Sequence, residues 1–141
     1  MMNELVQPHM TTDVITLGPD NTLGEAREIL LNRRIHHLPI VVGRKLVGIV
    51  TSWDLFKLGK SAEEYSDTKS KEIMTTKVAT LEYDQHLGAA AEVLTQHLFH
   101  AVPIVNEHHE LLGIVTSTDI VRYEHSKEYP SNLDKFVPEN M

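Results

Sequence analysis

The sequence repeats itself with an offset of 64 residues, and this duplication limits the folds open to the chain more than any other feature. Between residues 10–42 and 74–106, 16 of 33 positions are identical. After one inserted residue the offset becomes 65, and 7 of 11 positions agree between LVGIVTSWDLF (46–56) and LLGIVTSTDIV (111–121). Copies of about 50 residues bury little core alone. We therefore expect the two copies to pack together around a pseudo-twofold axis.

Each copy has the pattern of a small α+β unit. Short β-rich segments are predicted at 14–17 and 78–81. Apolar residues then recur at helical spacing: Leu23, Ala26, Ile29 and Leu30 in the first copy, and Leu87, Ala90, Val93 and Leu94 in the second. Hairpin strands are predicted at 38–42 and 46–50, and again at 102–105 and 111–115. A last helix begins near Ser52 and Ser117, so the unit is β-α-β-β-α, twice.

These boundaries divide the chain into four parts. Residues 7–59 and 71–126 are interpreted as the two repeats, and the polar residues 60–70 as the linker between them. The tail, 127–141, contains Pro130 and Pro138 without periodicity, and we expect it to be mobile. A strap across a partner subunit is the alternative, because Leu133 and Phe136 are apolar.

The composition narrows the class of partner. Thirteen basic and twenty acidic residues give a net charge of −7, which disfavours nucleic acid and anionic membranes but not a small anion held locally. The 141 residues include no cysteine, which excludes disulfides and thiolate metal sites. We find no signal peptide pattern and no apolar run near the roughly 20 residues of a membrane helix. A cytoplasmic protein without a membrane partner is expected.

Three motifs occur in the same order in both copies, and together they carry a family resemblance. They are MTTDVITL and MTTKVATL, RIHHLPIV and LFHAVPIV, and GIVTSWD and GIVTSTD. The chain resembles a tandem pair of CBS domains, the regulatory repeats named after cystathionine β-synthase. The resemblance implies clefts that bind AMP, ADP, ATP or S-adenosylmethionine. It also implies sensing of adenine nucleotides, a homodimer of CBS pairs and an unidentified regulated protein. The sequence has no Gly-rich P-loop and no G-x-S-x-G motif, so neither catalysis nor a required cofactor is expected.

The T-x-x-D motifs, Thr51 with Asp54 and Thr116 with Asp119, have two interpretations. Threonine followed three residues later by an acid is a capping box, which stabilises the start of a helix. The same groups suit a nucleotide, because a carboxylate accepts hydrogen bonds from ribose hydroxyls and a helix start binds phosphate. Spacing alone leaves both open, and the resemblance favours binding with capping as a concurrent role.

The resemblance implies that a segment of each repeat faces the T-x-x-D motif of the other. The facing segments are Thr12, Asp13, Val14 and Ile15, and Thr76, Lys77, Val78 and Ala79. One cleft would then pair Val78 with Asp54, and the other Val14 with Asp119. Ligand contacts are also implied for Pro39, Pro103, His36, His37 and His100, with the histidines near phosphate.

The two clefts are expected to differ. Ala101 stands in the second copy where the first has His37, so the cleft with Asp119, His36 and His37 should bind a phosphorylated ligand more tightly. The other cleft would draw on His100. No standard spacing of acidic ligands accompanies the nine histidines, so a metal site is not expected. The alternative function is a ligand-free dimerisation module with vestigial clefts. The small residues 88–91 allow close helix packing and support the expected homodimer, unless they pack only within the chain.

Overall fold

The computed structural model describes residues 3–97 and 100–128, without the side chain of His97. The second repeat contains the full β-α-β-β-α unit and the first repeat its α-β-β-α part, which confirms the α+β class and the two-repeat organisation. Residues 129–141, most of the predicted tail, lie outside the described residues. Within the described ranges no helix is long and apolar enough to cross a membrane.

The helices and strands follow the predicted order. The first repeat contains α1 (Leu23–Arg33), β1 (His37–Val42), β2 (Lys45–Thr51) and α2 (Ser52–Leu58). The linker contains a further helix, α3 (Ala62–Asp67). The second repeat contains β3 (Leu81–Glu82), α4 (Leu87–His97), β4 (Ala101–Val105), β5 (Leu111–Thr116) and α5 (Ser117–Glu128).

The two hairpins have matching registers. In the first, β1 and β2 pair antiparallel with Pro39 opposite Ile49. In the second, β4 and β5 pair antiparallel with Pro103 opposite Ile114, the equivalent positions. Each hairpin also has a register shift at the same place, after Ile40 and after Ile104. The duplication in sequence is therefore a duplication of backbone geometry.

The strands predicted at 14–17 and 78–81 are wrong over most of their length. In the first repeat only Leu17 forms a bridge, to Ile40. In the second, β3 begins at Leu81, opposite Ile104, and runs parallel to β4. The residues before Leu17 and Leu81 cross from one repeat to the other, so they cannot lie in a continuous ladder along one strand.

The crossing is fixed by backbone hydrogen bonds between the repeats. Thr11 of the first repeat and Ile114 of β5 exchange two bonds, of 2.8 and 2.9 Å. Thr75 of the second repeat and Ile49 of β2 exchange two bonds of 3.0 Å each. One residue of each repeat thus pairs with the edge of the other repeat's hairpin.

The pseudo-twofold axis passes through a contact between equivalent residues. Lys45, at the start of β2, forms an antiparallel bridge with Glu110, its counterpart at an offset of 65. The flanking bonds are also related by this symmetry, with Leu46 N donating to His109 O at 3.0 Å and Leu111 N to Arg44 O at 2.8 Å. This geometry confirms packing of the copies around a pseudo-twofold axis.

Each repeat has its own apolar core. The first cluster comprises Leu23, Ala26, Leu30, Leu38, Ile40, Val50, Leu55 and Tyr65. The second comprises Val6, Leu87, Ala90, Ile104, Val115 and Tyr123. Val6 precedes the first repeat's helices yet lies in the second core. Tyr65 anchors α3 to the first core, and its hydroxyl donates to Leu55 O at 2.5 Å.

Candidate functional site: a cleft between the repeats

A cavity of about 340 Å³ lies between the repeats. Its lining comes from both halves of the chain: Thr11, Asp13, Val14, Ile15, Arg34, Ile35, His36 and His37 from the first, and His100, Ile114, Thr116, Ser117 and Thr118 from the second. The volume falls in the range of about 300–1,000 Å³ typical of small-molecule sites. The lining combines aliphatic side chains with hydroxyl, imidazole and guanidinium groups, so it can contact both an apolar ring and polar substituents.

The crossing of the chain builds this cavity. Because Thr11 pairs with Ile114, the residues that follow it, Val14 and Ile15, lie beside the second repeat. Thr116 ends β5 and Ser117 begins α5, so backbone N–H groups of the first turn of α5 lie at the same wall. The structure thus brings Val14 and Thr116 together across the boundary between the repeats.

The two histidine segments are anchored alike. Ser52 N donates to His36 O at 2.9 Å, and Ser117 N donates to His100 O at 3.1 Å. Each bond ties the residues before a hairpin to the start of the helix that follows it. His36 and His100 are equivalent positions, and both line the one cavity.

Asp119 lies behind the cavity wall and is only 8% exposed. Thr116 N donates to its Oδ2 at 2.8 Å, and the Thr116 hydroxyl donates to the same oxygen at 3.0 Å. The Thr11 hydroxyl of the other repeat lies 3.3 Å from Oδ1 and 3.4 Å from Oδ2. Arg122 Nη1 is 3.9 Å from Oδ1. The carboxylate is therefore held from both repeats.

Asp54, the equivalent acid, has simpler surroundings. Thr51 N donates to its Oδ2 at 2.9 Å, and Asp54 N donates to the Thr51 hydroxyl at 3.2 Å, which completes a capping box. The side chain is half-buried. The capping interpretation therefore holds geometrically for this motif.

The sequence divides the histidines between two clefts, and the structure brings all three to one cavity. His36, His37 and His100 line the 340 Å³ cavity together, while the contact of His100 with a ligand beside Val78 and Ala79 stays a prediction. The three come together because His37 begins β1 and His100 directly precedes β4, and these two strand starts meet between the repeats.

His37 is the most constrained of the three. Burial lowers its pKa below the ordinary value, and the neighbouring His36 and His100 lower it further, while Asp119 acts in the opposite direction. Its Nδ1 atom is buried and has no hydrogen-bond partner among the described residues. At neutral pH the ring is therefore uncharged and retains an unused polar atom.

The remaining predicted site residues lie elsewhere. Thr12 lines a second cavity of about 170 Å³ together with Arg44. Pro39 and Pro103 are fully buried inside the hairpins and line neither cavity. The others, Thr51, Asp54, Thr76, Lys77, Val78 and Ala79, also lie outside the 340 Å³ cavity. The bridge between Thr75 and Ile49 brings these two motifs close along the backbone.

Six cavity residues were missed by sequence reasoning: Thr11, Arg34, Ile35, Ile114, Ser117 and Thr118. Arg34 carried a signal, since it is a cation two residues before His36 and has Leu98 as its counterpart. It ends α1 in a left-handed conformation with φ 53°. Thr11 and Thr12 are adjacent in the same motif, and only the crossing shows that Thr11 meets Asp119. In the ranges described, no group of three histidine or acidic residues is arranged for a metal ion.

The fold and cavity define a class, a paired-repeat module with a small-molecule-sized cleft between its halves. The family model of the CBS domain matches residues 4–61 and 71–126. The chain belongs to the CBS-domain family, and the resemblance seen in its motifs is confirmed.

Solved structures support the same assignment. The CBS domain pair of protein MJ0100, in complex with 5′-methylthioadenosine and S-adenosyl-L-methionine, is 36% identical with a TM-score of 0.75. The match covers 87% of this chain and 97% of that one. Protein MJ1225 of Methanocaldococcus jannaschii is 29% identical with a TM-score of 0.81, over 87% of this chain and 48% of that one.

The curated relatives are longer proteins. The L-aspartate semialdehyde sulfurtransferase of M. jannaschii is 37% identical over 119 residues, which are 84% of this chain and 23% of the relative. The first relatives are matched over only 22–24% of their length. The similarity therefore covers a CBS pair carried within larger proteins.

Proposed function

We propose that this chain is a regulatory module that binds an adenosine-containing ligand between its repeats and signals the bound state to a protein partner. The observation that carries the proposal is the 340 Å³ cavity formed by both repeats. The MJ0100 pair, similar over almost its whole length, is in complex with two adenosine derivatives. A ligand held by both halves is well placed to alter how they pack.

Each wall of the cavity has a role in this proposal. Val14, Ile15 and Ile114 offer aliphatic surface for the faces of adenine. The first turn of α5 offers backbone N–H groups, and Thr116 and Thr118 offer hydroxyls, to polar groups of the ligand. Asp119 accepts the ribose hydroxyls once its long contact with Thr11 is exchanged for them.

The second predicted site is retained as part of the proposal. Asp54 and Thr51 would hold ribose beside Val78 and Ala79, with Thr76 and Lys77 at the entry. The counterpart of His37 in the second repeat is Ala101, which offers no phosphate donor. We therefore expect the Asp119 site to bind a phosphorylated ligand more tightly, and the Asp54 site more weakly.

Calorimetric titration of matched variants tests this assignment. AMP, ADP, ATP, S-adenosylmethionine and 5′-methylthioadenosine are titrated into the wild-type chain, Asp119→Ala and Asp54→Ala. Asp119→Ala should weaken the binding free energy of the tighter step by about 1.5–3 kcal/mol, because a charged hydrogen bond to ribose is lost. Loss of the tighter step in Asp54→Ala alone reverses the assignment, and two equal sites refute the asymmetry.

The alternative, a ligand-free dimerisation module with vestigial clefts, predicts a different result. Ligand at 100 times its dissociation constant stabilises a binding protein by roughly 2.7 kcal/mol and raises the melting temperature. If none of the five ligands changes the melting temperature, the alternative replaces the proposal. Neither function includes catalysis or a required cofactor, because CBS pairs are regulatory modules. We also propose that the protein acts in the cytoplasm.

A further inference from the structure

We infer that the cavity selects its ligand by charge and that pH sets the selection, with protonation in the histidine cluster around His37 favouring a phosphorylated adenosine over an uncharged one. The inference rests on the proposed function, because it concerns the ligand of the same cavity. It is carried by the grouping of three titratable rings and one guanidinium in a site otherwise close to neutral.

The fixed charges at the cavity nearly cancel. Asp13 on the crossing segment and Arg34 at the end of α1 contribute one charge of each sign. On α5, Asp119 faces His37, but its carboxylate is already held by Thr116 and Thr11 and lies near Arg122. The net charge that a ligand meets is therefore decided by the three histidines.

The histidines come from two separate strand starts and face one another. His36 and His37 lie at β1, and His100 lies before β4. His37 is the ring on which all the neighbouring charges act, since His36, His100 and Asp119 each affect its proton affinity. His36 and His100 disfavour protonation of His37, and an anion placed beside His37 opposes that effect.

The sign of the pH effect follows from linkage. In the free protein the pKa of His37 is lowered, first by burial and then by the other two histidines. A bound phosphate opposes both causes, so the pKa of His37 is higher in the complex than in the free protein. Affinity for the anion is then greatest below the free-state pKa and is lost as pH rises through the bound-state pKa.

Ligands with the same nucleoside and different charge should respond differently. AMP carries a phosphate and should bind with uptake of protons. 5′-Methylthioadenosine has the same nucleoside and no charge, so its affinity should be nearly independent of pH. S-Adenosylmethionine is cationic at its sulfonium, so acid should weaken its binding.

Isothermal titration calorimetry with AMP and 5′-methylthioadenosine, near pH 6.5 and near pH 8, tests the inference. This range stays above the second phosphate pKa of about 6, so the ligand's own titration contributes little. Between the two conditions AMP affinity should fall about three- to thirtyfold, as expected for up to one linked proton. The affinity for 5′-methylthioadenosine should stay within about twofold. Titration at pH 7 in buffers of different ionisation enthalpy measures proton uptake directly.

The variants identify the responsible rings. His37→Gln should reduce proton uptake, and the combination of His36→Gln, His37→Gln and His100→Gln should abolish it and flatten the AMP profile. His108→Gln is the matched control, because His108 is exposed in the second hairpin turn and lies outside the cavity.

The possible outcomes distinguish a failure of this inference from a failure of the proposed function. Parallel pH profiles for the two ligands, or proton uptake that survives in the triple variant, overturn the inference while leaving the proposed function intact. Failure of both ligands to bind at either pH overturns the proposed function as well. If the triple variant does not fold, proton uptake by the wild-type chain decides, because its absence on AMP binding also refutes the inference.

Discussion

Asp54 and Asp119 occupy equivalent positions, yet their carboxylates accept hydrogen bonds from different parts of the fold. Asp54 accepts from the backbone of its own repeat and closes a local capping box. Asp119 accepts from Thr116 and also from Thr11, which is 108 residues away in sequence. One acid therefore stabilises a helix start, while the other also joins the two halves of the molecule.

This difference predicts unequal costs of removal. Asp54→Ala should lower the free energy of unfolding by about 0.5–2 kcal/mol, the usual cost of a lost cap. Asp119→Ala should lower the free energy of unfolding by about 1.5–3 kcal/mol, because donors from both repeats lose a buried, charged hydrogen-bond acceptor. Urea unfolding of both variants measures the difference, with Asp84→Ala, an exposed acid, as the control. Equal costs would show that the contact with Thr11 contributes nothing.

For individual residues, the sequence predicted the chemical types that line the cavity better than it predicted which cleft each residue lines. Val14, Ile15, His36 and His37 lie where the resemblance implied, beside Thr116. His100, which was assigned to the other cleft, lines this cavity as well. Local motifs do not show which strand starts meet across a pseudo-twofold axis. The position of His100 relative to His36 and His37 could therefore not be inferred from spacing.

The crossing segments decide how the secondary-structure elements fit together. Gly113 of β5 lies against Thr11, and a Cβ atom added there would be 2.7 Å from Thr11 O. At the equivalent Gly48 the nearest atom is Met74 Sδ, at 2.6 Å, with Thr75 O at 3.0 Å. Both glycines permit the close approach of a strand from the other repeat, but one meets backbone first and the other a flexible side chain.

Gly113→Ala should therefore destabilise more than Gly48→Ala. Overpacking typically costs about 1–3 kcal/mol, and we expect Gly113→Ala near the upper end because the carbonyl of Thr11 cannot move without breaking its pairing with Ile114. Chemical denaturation of the two variants provides the measurement. A second substitution, Met74→Ala, should partly restore Gly48→Ala, whereas Met10→Ala should not restore Gly113→Ala. Rescue of both would argue that only side chains obstruct.

The elements themselves were largely readable from the sequence. The hairpins and the helices α1 and α4 agree with their apolar patterns, because each has one face in a core. Helix α3 was treated as polar linker although Ser61 and Glu64 have capping-box spacing, and the structure forms that box. Residues 14–16 were misassigned to a strand because a β-rich composition does not reveal that the chain crosses to the other repeat.

The outer surface of the whole molecule carries an apolar patch. Trp53 and Phe56 on α2 are 61% and 77% exposed, and their rings stack at 5.7 Å. Val121, the counterpart of Phe56 on α5, is 67% exposed. By contrast, Ala90 in the small-residue segment 88–91 is fully buried in its own repeat's core. Close packing of that segment is thus explained in part within the chain.

We propose that the chain forms a homodimer and that the patch of Trp53 and Phe56 faces the second copy. Exposed apolar clusters mark interaction sites, and twofold dimers use the same patch on both subunits. Light scattering at micromolar concentration should give twice the 16.0 kDa chain mass, and Phe56→Glu should give the monomer. Val42→Glu, on the exposed end of β1, is the matched control. A wild-type monomer at this concentration contradicts the proposal.

The exchange of Thr11 and Thr75 between the repeats has an evolutionary consequence. A single copy has a hairpin edge that its own leading segment does not cover, so two free copies would complete each other by swapping segments. In one chain this exchange is intramolecular, at an effective concentration of order millimolar. The two copies within one chain need not be identical, as two separate swapping copies of one sequence would be. Positions such as His37 and Ala101, or Asp13 and Lys77, were then free to diverge into unlike sites.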